Sequence, residues 1–277
     1  MKGKIAVFLG VALLGAGALA AQVSVSGAKM TFSSGSETIP GFIAAPDDAV
    51  KKPGIVVIQE WWGLNDFIRE KVDYFARQGY VVLAPDLYRG QIALDPDTAH
   101  QLMRGLPEDR AMRDLQAAVA YLKARVDVDP KRVGVVGWCM GGGYSLSLAL
   151  AEPSLAGAVI YYGRLVTDDA AIKSLQVPLL GNFAGEDKGI PVESVREFEQ
   201  KAKAAGKTVD FKIYPGAEHT FASSKDPAVF RAADAKDADA RTDAFFAKVL
   251  KGAVKPAKAA PKKKPAPKKT PTSKKTV

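Results

Sequence analysis

Three side chains of the types used in nucleophilic catalysis lie far apart in this sequence: a thiol, a carboxylate and an imidazole. Cys139, the single cysteine, lies in GWCMG (residues 137–141), a G-x-nucleophile-x-G pattern between an apolar run and a helix-like segment. His219 and Asp187 each follow other apolar runs. The glycines keep a sharp turn free of side chains, so the thiol stands exposed at a helix N-terminus, where backbone amides favour thiolate. The sequence therefore predicts a cysteine nucleophile with a base and an orienting acid.

Alternatives stay open for each of these groups. A glycine-rich packing turn with an incidental cysteine is the competing interpretation of Cys139. The second histidine, His100, lies in a polar helical stretch, where we expect solvent exposure. Glu186 is also a candidate acid, but Asp187 is preferred because its loop leads into Pro191. A metal site would compete for the same residue types, but one cysteine and two histidines supply zinc poorly, so we predict no metal and no cofactor.

Apolar, β-rich runs alternate with amphipathic segments between residues 23 and 250. The predicted strands are 54–59, 80–84, 132–137, 156–162, 177–183 and 209–214, and the predicted helices are 66–78, 108–125, 142–151, 192–205 and 228–250. This order predicts one α/β domain, a three-layer sandwich with a mostly parallel sheet and helices on both faces. Weaker strands at 23–32 and 39–45 are expected to add an antiparallel edge. Functional groups gather at the carboxyl ends of such strands.

Six stretches of the chain resemble the dienelactone hydrolase family. They are QEWWGLND (59–66), APDLYRG (84–90), GWCMGGG (137–143), YYG (161–163), AGEDKGIP (184–191) and GAEHTFAS (216–223). The resemblance covers nearly all of residues 23–250 and implies an α/β-hydrolase fold. It also implies hydrolysis of an ester or lactone through an acyl-enzyme, in which Cys139 attacks the carbonyl, His219 moves the proton and Asp187 orients the imidazole. The chain order Cys–Asp–His agrees with that fold.

The resemblance implies further roles near the nucleophile. In the family a carboxylate at the position of Glu60 holds the resting thiol aside until substrate displaces it. Such a role would protect an exported thiol, since thiolate oxidises faster than thiol. The alternative for Glu60 is a buried partner of a basic group or loop amide. The oxyanion hole would be the backbone N–H groups of Met140 and Trp61.

The sequence departs from the family at its substrate-binding arginines. Arg89 follows Tyr88 directly, one position earlier than the family spacing, and Ser223 stands four residues after the histidine, where the family has its second arginine. Because a bidentate arginine–carboxylate contact contributes about 1.5–3 kcal/mol, we expect an altered substrate preference. Arg89 and Tyr88 remain candidate substrate contacts.

Three other side chains are candidates to complete the substrate site. Arg164, after the YYG motif, and Lys225 are cations that could substitute for the missing arginine. The pair Trp61-Trp62 is a candidate apolar or aromatic acyl pocket, with one of the two rings expected in the core. The substrate is expected to be a small-molecule ester or lactone.

Residues 1–20 are predicted to be a secretory signal peptide. Lys2 and Lys4 precede an apolar run from Ile5 to Ala21, and Ala18-Leu19-Ala20 resembles a cleavage site. The run has 17 residues, many of them Ala or Gly, whereas a spanning helix needs about 20, although an uncleaved anchor is the alternative. We therefore expect a periplasmic or secreted protein whose domain occupies residues 21–251.

Residues 252–277 form a Lys/Pro/Ala-rich tail that we predict to be disordered. The net charge of the chain is +9, and setting aside the ten lysines from residue 251 onward leaves −1. Because the domain itself is not basic, no specific nucleic-acid binding is expected. The tail is either a solvated segment or a contact to an anionic envelope surface, and the domain is expected to be a monomer.

Three other functions stay open. Within the enzyme class, the runners-up are a general carboxylesterase and a thioesterase. The rival from another class is a non-catalytic envelope protein that keeps the fold as a scaffold for its polybasic tail.

Overall fold

The computed structural model describes residue 25, residues 27–47 and residues 50–252. The predicted signal peptide and the tail beyond residue 252 lie outside the described residues. The strands are β1 (Ala28–Ser34), β2 (Glu37–Ala44), β3 (Lys52–Ile58), β4 (Val81–Pro85), β5 (Val128–Trp138), β6 (Gly157–Tyr161), β7 (Leu179–Ala184) and β8 (Val209–Tyr214). The helices are α1 (Asp66–Arg77), α2 (Pro96–Arg104), α3 (Glu108–Ala124), α4 (Met140–Ala151), α5 (Asp169–Ser174), α6 (Val192–Ala204) and α7 (Ala232–Lys251).

The eight strands form one sheet in the order β1-β2-β4-β3-β5-β6-β7-β8. The pairs β1–β2 and β2–β4 are antiparallel, and the other pairs are parallel. The prediction of a mostly parallel sheet with an antiparallel edge is therefore confirmed. The strongly apolar sequences of β3, β4, β6 and β7 follow from their burial on both faces.

Alternate side chains of the central strands enter two separate hydrophobic cores. In β3, Val56 and Ile58 pack into the core beneath α3, α4 and α6, whereas Ile55 and Val57 pack into the core beneath α1 and α7. The molecule thus has three layers, with helices on both faces of the sheet. Within the described residues, no helix is both long and apolar enough to cross a membrane.

The helical stretch around His100 forms α2, which was not among the predicted helices, and two further helices differ from the sequence prediction. The six-residue α5, which begins at its N-cap Asp168, was not predicted. The last helix starts at Ala232 rather than at residue 228. None of these differences changes the carboxyl-end side of the sheet. The parallel strands β3, β5, β7 and β8 all end on that side, and the segments that follow them carry Glu60, Cys139, Asp187 and His219, respectively.

Candidate active site

The turn that carries Cys139 joins β5 directly to α4. Cys139 has φ 53° and ψ −117°, a conformation that residues other than glycine rarely adopt, and its N–H donates to the carbonyl of Tyr161 at 3.0 Å. A side chain at Gly137 would collide with the backbone of Gly141. A side chain at Gly141 would collide with the backbone carbonyls of residues 58 and 59. The glycines on each side are therefore required by close backbone packing.

Cys139, His219 and Asp187 lie in one hydrogen-bonded row. The Cys139 Sγ lies 3.1 Å from Nε2 of His219, and Nδ1 of the same ring lies 2.6 Å from Oδ2 of Asp187. The other oxygen of Asp187 accepts the backbone N–H groups of Gly189 at 2.9 Å and Ile190 at 3.0 Å. These bonds fix the carboxylate, which in turn fixes the orientation of the imidazole.

Electrostatics in this row favour a charged imidazole. Burial lowers the pKa of His219, but its hydrogen bonds to Asp187 and Cys139 outweigh burial and raise the pKa to about 10. Burial likewise opposes the charge on Asp187, yet the hydrogen bond from His219 holds the pKa of that carboxyl below its usual value. His219 is thus placed beside the sulfur as a base of raised strength.

Glu60 follows β3 and is completely buried. Its Oε2 accepts the Ser223 hydroxyl at 3.0 Å, and its Oε1 has no hydrogen-bond partner among the described residues. Burial raises the pKa of Glu60 to about 7, against the opposing effects of Ser223 and His219. The sulfur of Cys139 is hydrogen-bonded to His219, and no hydrogen bond joins it to Glu60 in the described part of the chain. The predicted thiol-holding contact is therefore not the arrangement seen here.

A cavity of about 630 Å³ opens over the sulfur. Its walls are largely apolar or aromatic and include Trp61, Trp62, Met103, Met140, Tyr162 and Ile190. The N–H of Met140, in the first turn of α4, and that of Trp61 make no hydrogen bond within the described residues. Both residues line the cavity, and neither of these two donors is used elsewhere in the described fold.

Comparison with known proteins decides the family. The model of the dienelactone hydrolase family matches residues 39–250. The chain belongs to the dienelactone hydrolase family. A protein of Methylorubrum extorquens named "Putative carboxymethylenebutenolidase" is 34% identical over 222 residues, which are 75% of this chain and 76% of that protein. "Protein usf" of Aquifex pyrophilus is 34% identical over 231 residues, or 81% and 99% of the two chains.

A solved structure supports the same fold for this hydrolase. The "Putative Dienelactone Hydrolase" of Klebsiella pneumoniae superposes with a TM-score of 0.75 at 29% identity, covering 81% of this chain and 99% of that one. The eight-stranded, mostly parallel sheet is thus an α/β-hydrolase sandwich, as the sequence predicted.

In this hydrolase, two candidate substrate contacts lie outside the cavity wall. Arg89 forms ion pairs with Asp114 at 2.7 Å and with Glu37 at 2.9 Å. Asp114 is fully buried, so its charge requires a cation beside it. Tyr88 is buried behind Met140, and its hydroxyl donates to the Met140 sulfur at 3.4 Å. The structure assigns both residues structural contacts in place of the predicted substrate contacts.

The other candidates stand at the cavity of the hydrolase. Arg164 and Trp62 line it, and Ser223 does so with its hydroxyl turned to Glu60. The Lys225 ammonium lies 5.8 Å from the centre of the Trp62 ring. Arg164 is exposed and makes no ion pair or hydrogen bond with any described residue.

Sequence reasoning missed two side chains at the site of the hydrolase. His100 is exposed, as expected, but its ring packs edge-on against Trp61 at 4.8 Å and lines the cavity. Tyr162 is fully buried in a left-handed conformation, with φ 38°, and its ring lies 5.2 Å from that of His219. The YYG motif was the available signal for Tyr162, since a glycine after two aromatic residues marks a tight turn.

Proposed function

We propose that the protein hydrolyses carboxylic esters or lactones through an acyl-enzyme formed on Cys139. The observation that carries the proposal is the row from sulfur to imidazole to carboxylate, with distances of 3.1 and 2.6 Å. A nucleophile, a base and an orienting acid at such distances are what acyl transfer requires. The apolar cavity above the sulfur supplies space for an acyl group.

The first half of the reaction forms a thioester. His219 takes the thiol proton and holds it as a charged imidazole, the sulfur of Cys139 attacks the carbonyl carbon, and the carbonyl oxygen becomes an oxyanion. The N–H groups of Met140 and Trp61 are the proposed donors to that oxygen. The intermediate collapses as the carbon–oxygen bond of the leaving alcohol breaks, and His219 returns the proton to that alcohol.

The second half restores the thiol. A water molecule gives a proton to His219 as its oxygen attacks the thioester carbonyl. The carbon–sulfur bond then breaks, the proton returns to the sulfur of Cys139, and the carboxylic acid leaves. Asp187 keeps Nδ1 of the ring protonated throughout, so the same nitrogen, Nε2, serves both halves.

General carboxylesterase activity is a second candidate, favoured by the composition of the cavity wall. Arg89 is committed to Asp114, and Ser223 occupies the position of the family's second arginine. The remaining wall is dominated by tryptophan, methionine, tyrosine and isoleucine side chains. Such a wall suits uncharged acyl groups, because it offers apolar contact without a buried counter-charge.

We propose export of this activity from the sequence of residues 1–20 alone. We propose contact of the tail with an anionic surface from the lysines beyond residue 251. N-terminal sequencing of the protein from its native host should find a start near residue 21. Removal of residues 252–277 should abolish binding to anionic vesicles and leave hydrolysis unchanged.

The decisive experiment is the replacement of Cys139 by alanine. Hydrolysis of 4-nitrophenyl esters and of an enol lactone should fall about 10³-fold or more, since the acyl-enzyme cannot form. Glu186→Gln, an exposed change next to Asp187, is the control and should retain its rate. Undiminished hydrolysis by the alanine variant with an unchanged melting temperature would refute the proposal.

A further inference from the structure

A single hydrogen bond connects the loop after β3 to the loop that carries His219. The Ser223 hydroxyl donates to Oε2 of Glu60 at 3.0 Å, across 163 residues of sequence. Both residues are buried, Ser223 at 1% and Glu60 at 0% exposure. Ser223 is itself fixed by a turn, in which its N–H donates to the carbonyl of Thr220 at 2.8 Å. The hydroxyl is therefore held in place as a donor to the carboxyl.

The second oxygen of Glu60 is an unused acceptor, and Ser223, which holds the first oxygen, lines the same cavity as Cys139 and His219. Oε1 has no hydrogen-bond partner in the described residues, and neither has the buried hydroxyl of Tyr162. Burial raises the pKa of Tyr162, and so do electrostatic interactions with Glu60 and with Cys139, so Tyr162 is within electrostatic reach of both residues. A buried carboxyl with unpaired oxygens gains free energy by turning towards any donor, and the thiol is one.

We propose that Ser223 is a positioning residue, whose hydroxyl anchors the Glu60 carboxyl and leaves the Cys139 thiol paired with His219. This inference rests on the proposed function, in which Cys139 is the nucleophile. Without the anchor, Glu60 competes with His219 as the hydrogen-bond acceptor of the thiol, and the sulfur is drawn from its 3.1 Å contact with the ring. The serine thus keeps the site ready for attack before substrate binds.

The ionisation of Glu60 provides a readout that a merely structural role of Ser223 would not change. The groups that act on the carboxyl are Ser223, His219 and Asp226 after β8, Lys71 in α1, and Tyr162 after β6. Burial raises the pKa of Glu60 to about 7, and the hydrogen bond from Ser223 opposes that rise. Loss of the hydroxyl therefore moves the titration of Glu60 to higher pH.

The test compares two variants of nearly equal shape, Ser223→Thr, which keeps the hydroxyl, and Ser223→Val, which lacks it. The measurement is the rate constant of alkylation of Cys139 by iodoacetamide across pH 5 to 9. The valine variant is expected to react about tenfold more slowly than the threonine variant at pH 7. A factor of this size corresponds to the free energy of one hydrogen bond to a carboxyl. Its Glu60 inflection should lie above that of the threonine variant. Melting temperatures of the two variants show whether packing is equally preserved, and Ser223→Ala provides the same comparison if both larger side chains disturb the fold.

A double-mutant cycle with Glu60→Gln identifies the route of the effect. If Ser223 acts through the carboxyl, the Thr-to-Val difference should largely disappear in the glutamine background. Equal alkylation rates of the threonine and valine variants, or the same difference in both backgrounds, would overturn the inference. Alkylation needs no ester substrate, so failure here is separate from failure of the proposed function, which Cys139→Ala tests through hydrolysis.

Discussion

The sulfur of Cys139 and Nε2 of His219, 80 residues apart in sequence, lie 3.1 Å from each other in the fold. The contact exists because β5 and β8 are parallel strands of one sheet whose following turns meet at one edge. The strained backbone at Cys139 lifts the thiol out of the turn, and Asp187 presents the ring to it. The site therefore has its base beside its nucleophile without substrate.

Asp187→Asn should lower kcat about 10³-fold or more and change KM little, because an amide cannot hold Nδ1–H of His219 or stabilise the imidazolium. Steady-state hydrolysis of a 4-nitrophenyl ester gives both constants. Asp187 is buried, whereas the adjacent Glu186 is exposed. Glu186→Gln is thus the matched control and should retain wild-type kinetics. The reverse ranking of the two variants would assign the acid to Glu186.

Glu60→Gln should flatten the dependence of folding stability on pH. Glu60 has a pKa of about 7 in the folded protein and near 4.5 as its ordinary value. Below pH 4.5 the carboxyl is neutral in both states. From pH 4.5 to 7 only the unfolded chain ionises, so the free energy of unfolding falls by about 3 kcal/mol in the wild type.

Urea unfolding at pH 4.5, 6 and 8 measures that dependence. The glutamine variant lacks the titration, and its unfolding free energy should decline less over the same interval. His219, whose pKa is raised to about 10, stabilises the fold fully below pH 6.5 and progressively less up to pH 10 in both proteins. The comparison therefore isolates Glu60, and parallel pH curves for the two proteins would contradict a raised pKa.

Gly141→Ala should destabilise the nucleophile turn by several kcal/mol, because the new Cβ would overlap the backbone carbonyls of residues 58 and 59. Gly143, two residues later in α4, is the control. A Cβ there would lie 3.5 Å from the nearest atom, and alanine is favoured over glycine in a helix by about 1 kcal/mol. Thermal unfolding should show a lower Tm for the first variant and an equal or higher Tm for the second. Equal melting temperatures would show that the turn tolerates a side chain.

The sequence allowed prediction of the features that local pattern determines. The apolar runs of β3 to β7 identified a parallel sheet, and the spacing around Cys139 identified its turn. The environment of Arg89 depends instead on Glu37 and Asp114, which the fold brings together from β2 and α3. The hydrogen bond from Ser223 to Glu60 likewise joins residues 163 positions apart, so no local sequence pattern predicts it. A short helix such as α5 is not predicted from sequence, because its six residues make less than two full helical turns and show no clear apolar periodicity.

Arg89 lies away from the cavity, whereas Arg164 lies on its wall. We therefore expect replacement of Arg89 by alanine to change stability and replacement of Arg164 by alanine to change KM. Arg89→Ala removes a cation from the fully buried Asp114, which keeps its contacts with Arg113 and Ser34, so about 2 kcal/mol of stability should be lost. For a domain of this size that loss lowers the Tm by roughly 4–8 °C. KM for a neutral ester should be unchanged.

Arg164→Ala should leave the Tm within about 1 °C, because the guanidinium is exposed and contacts no described acid. It should raise KM for an ester whose acyl group carries a carboxylate, while KM for the neutral ester of equal size stays constant, since an anionic acyl group at this wall lies nearest to that cation. Kinetics with this substrate pair, together with thermal unfolding of both variants, checks the assignment. A rise in KM for the anionic ester in Arg89→Ala and not in Arg164→Ala would return Arg89 to the substrate site.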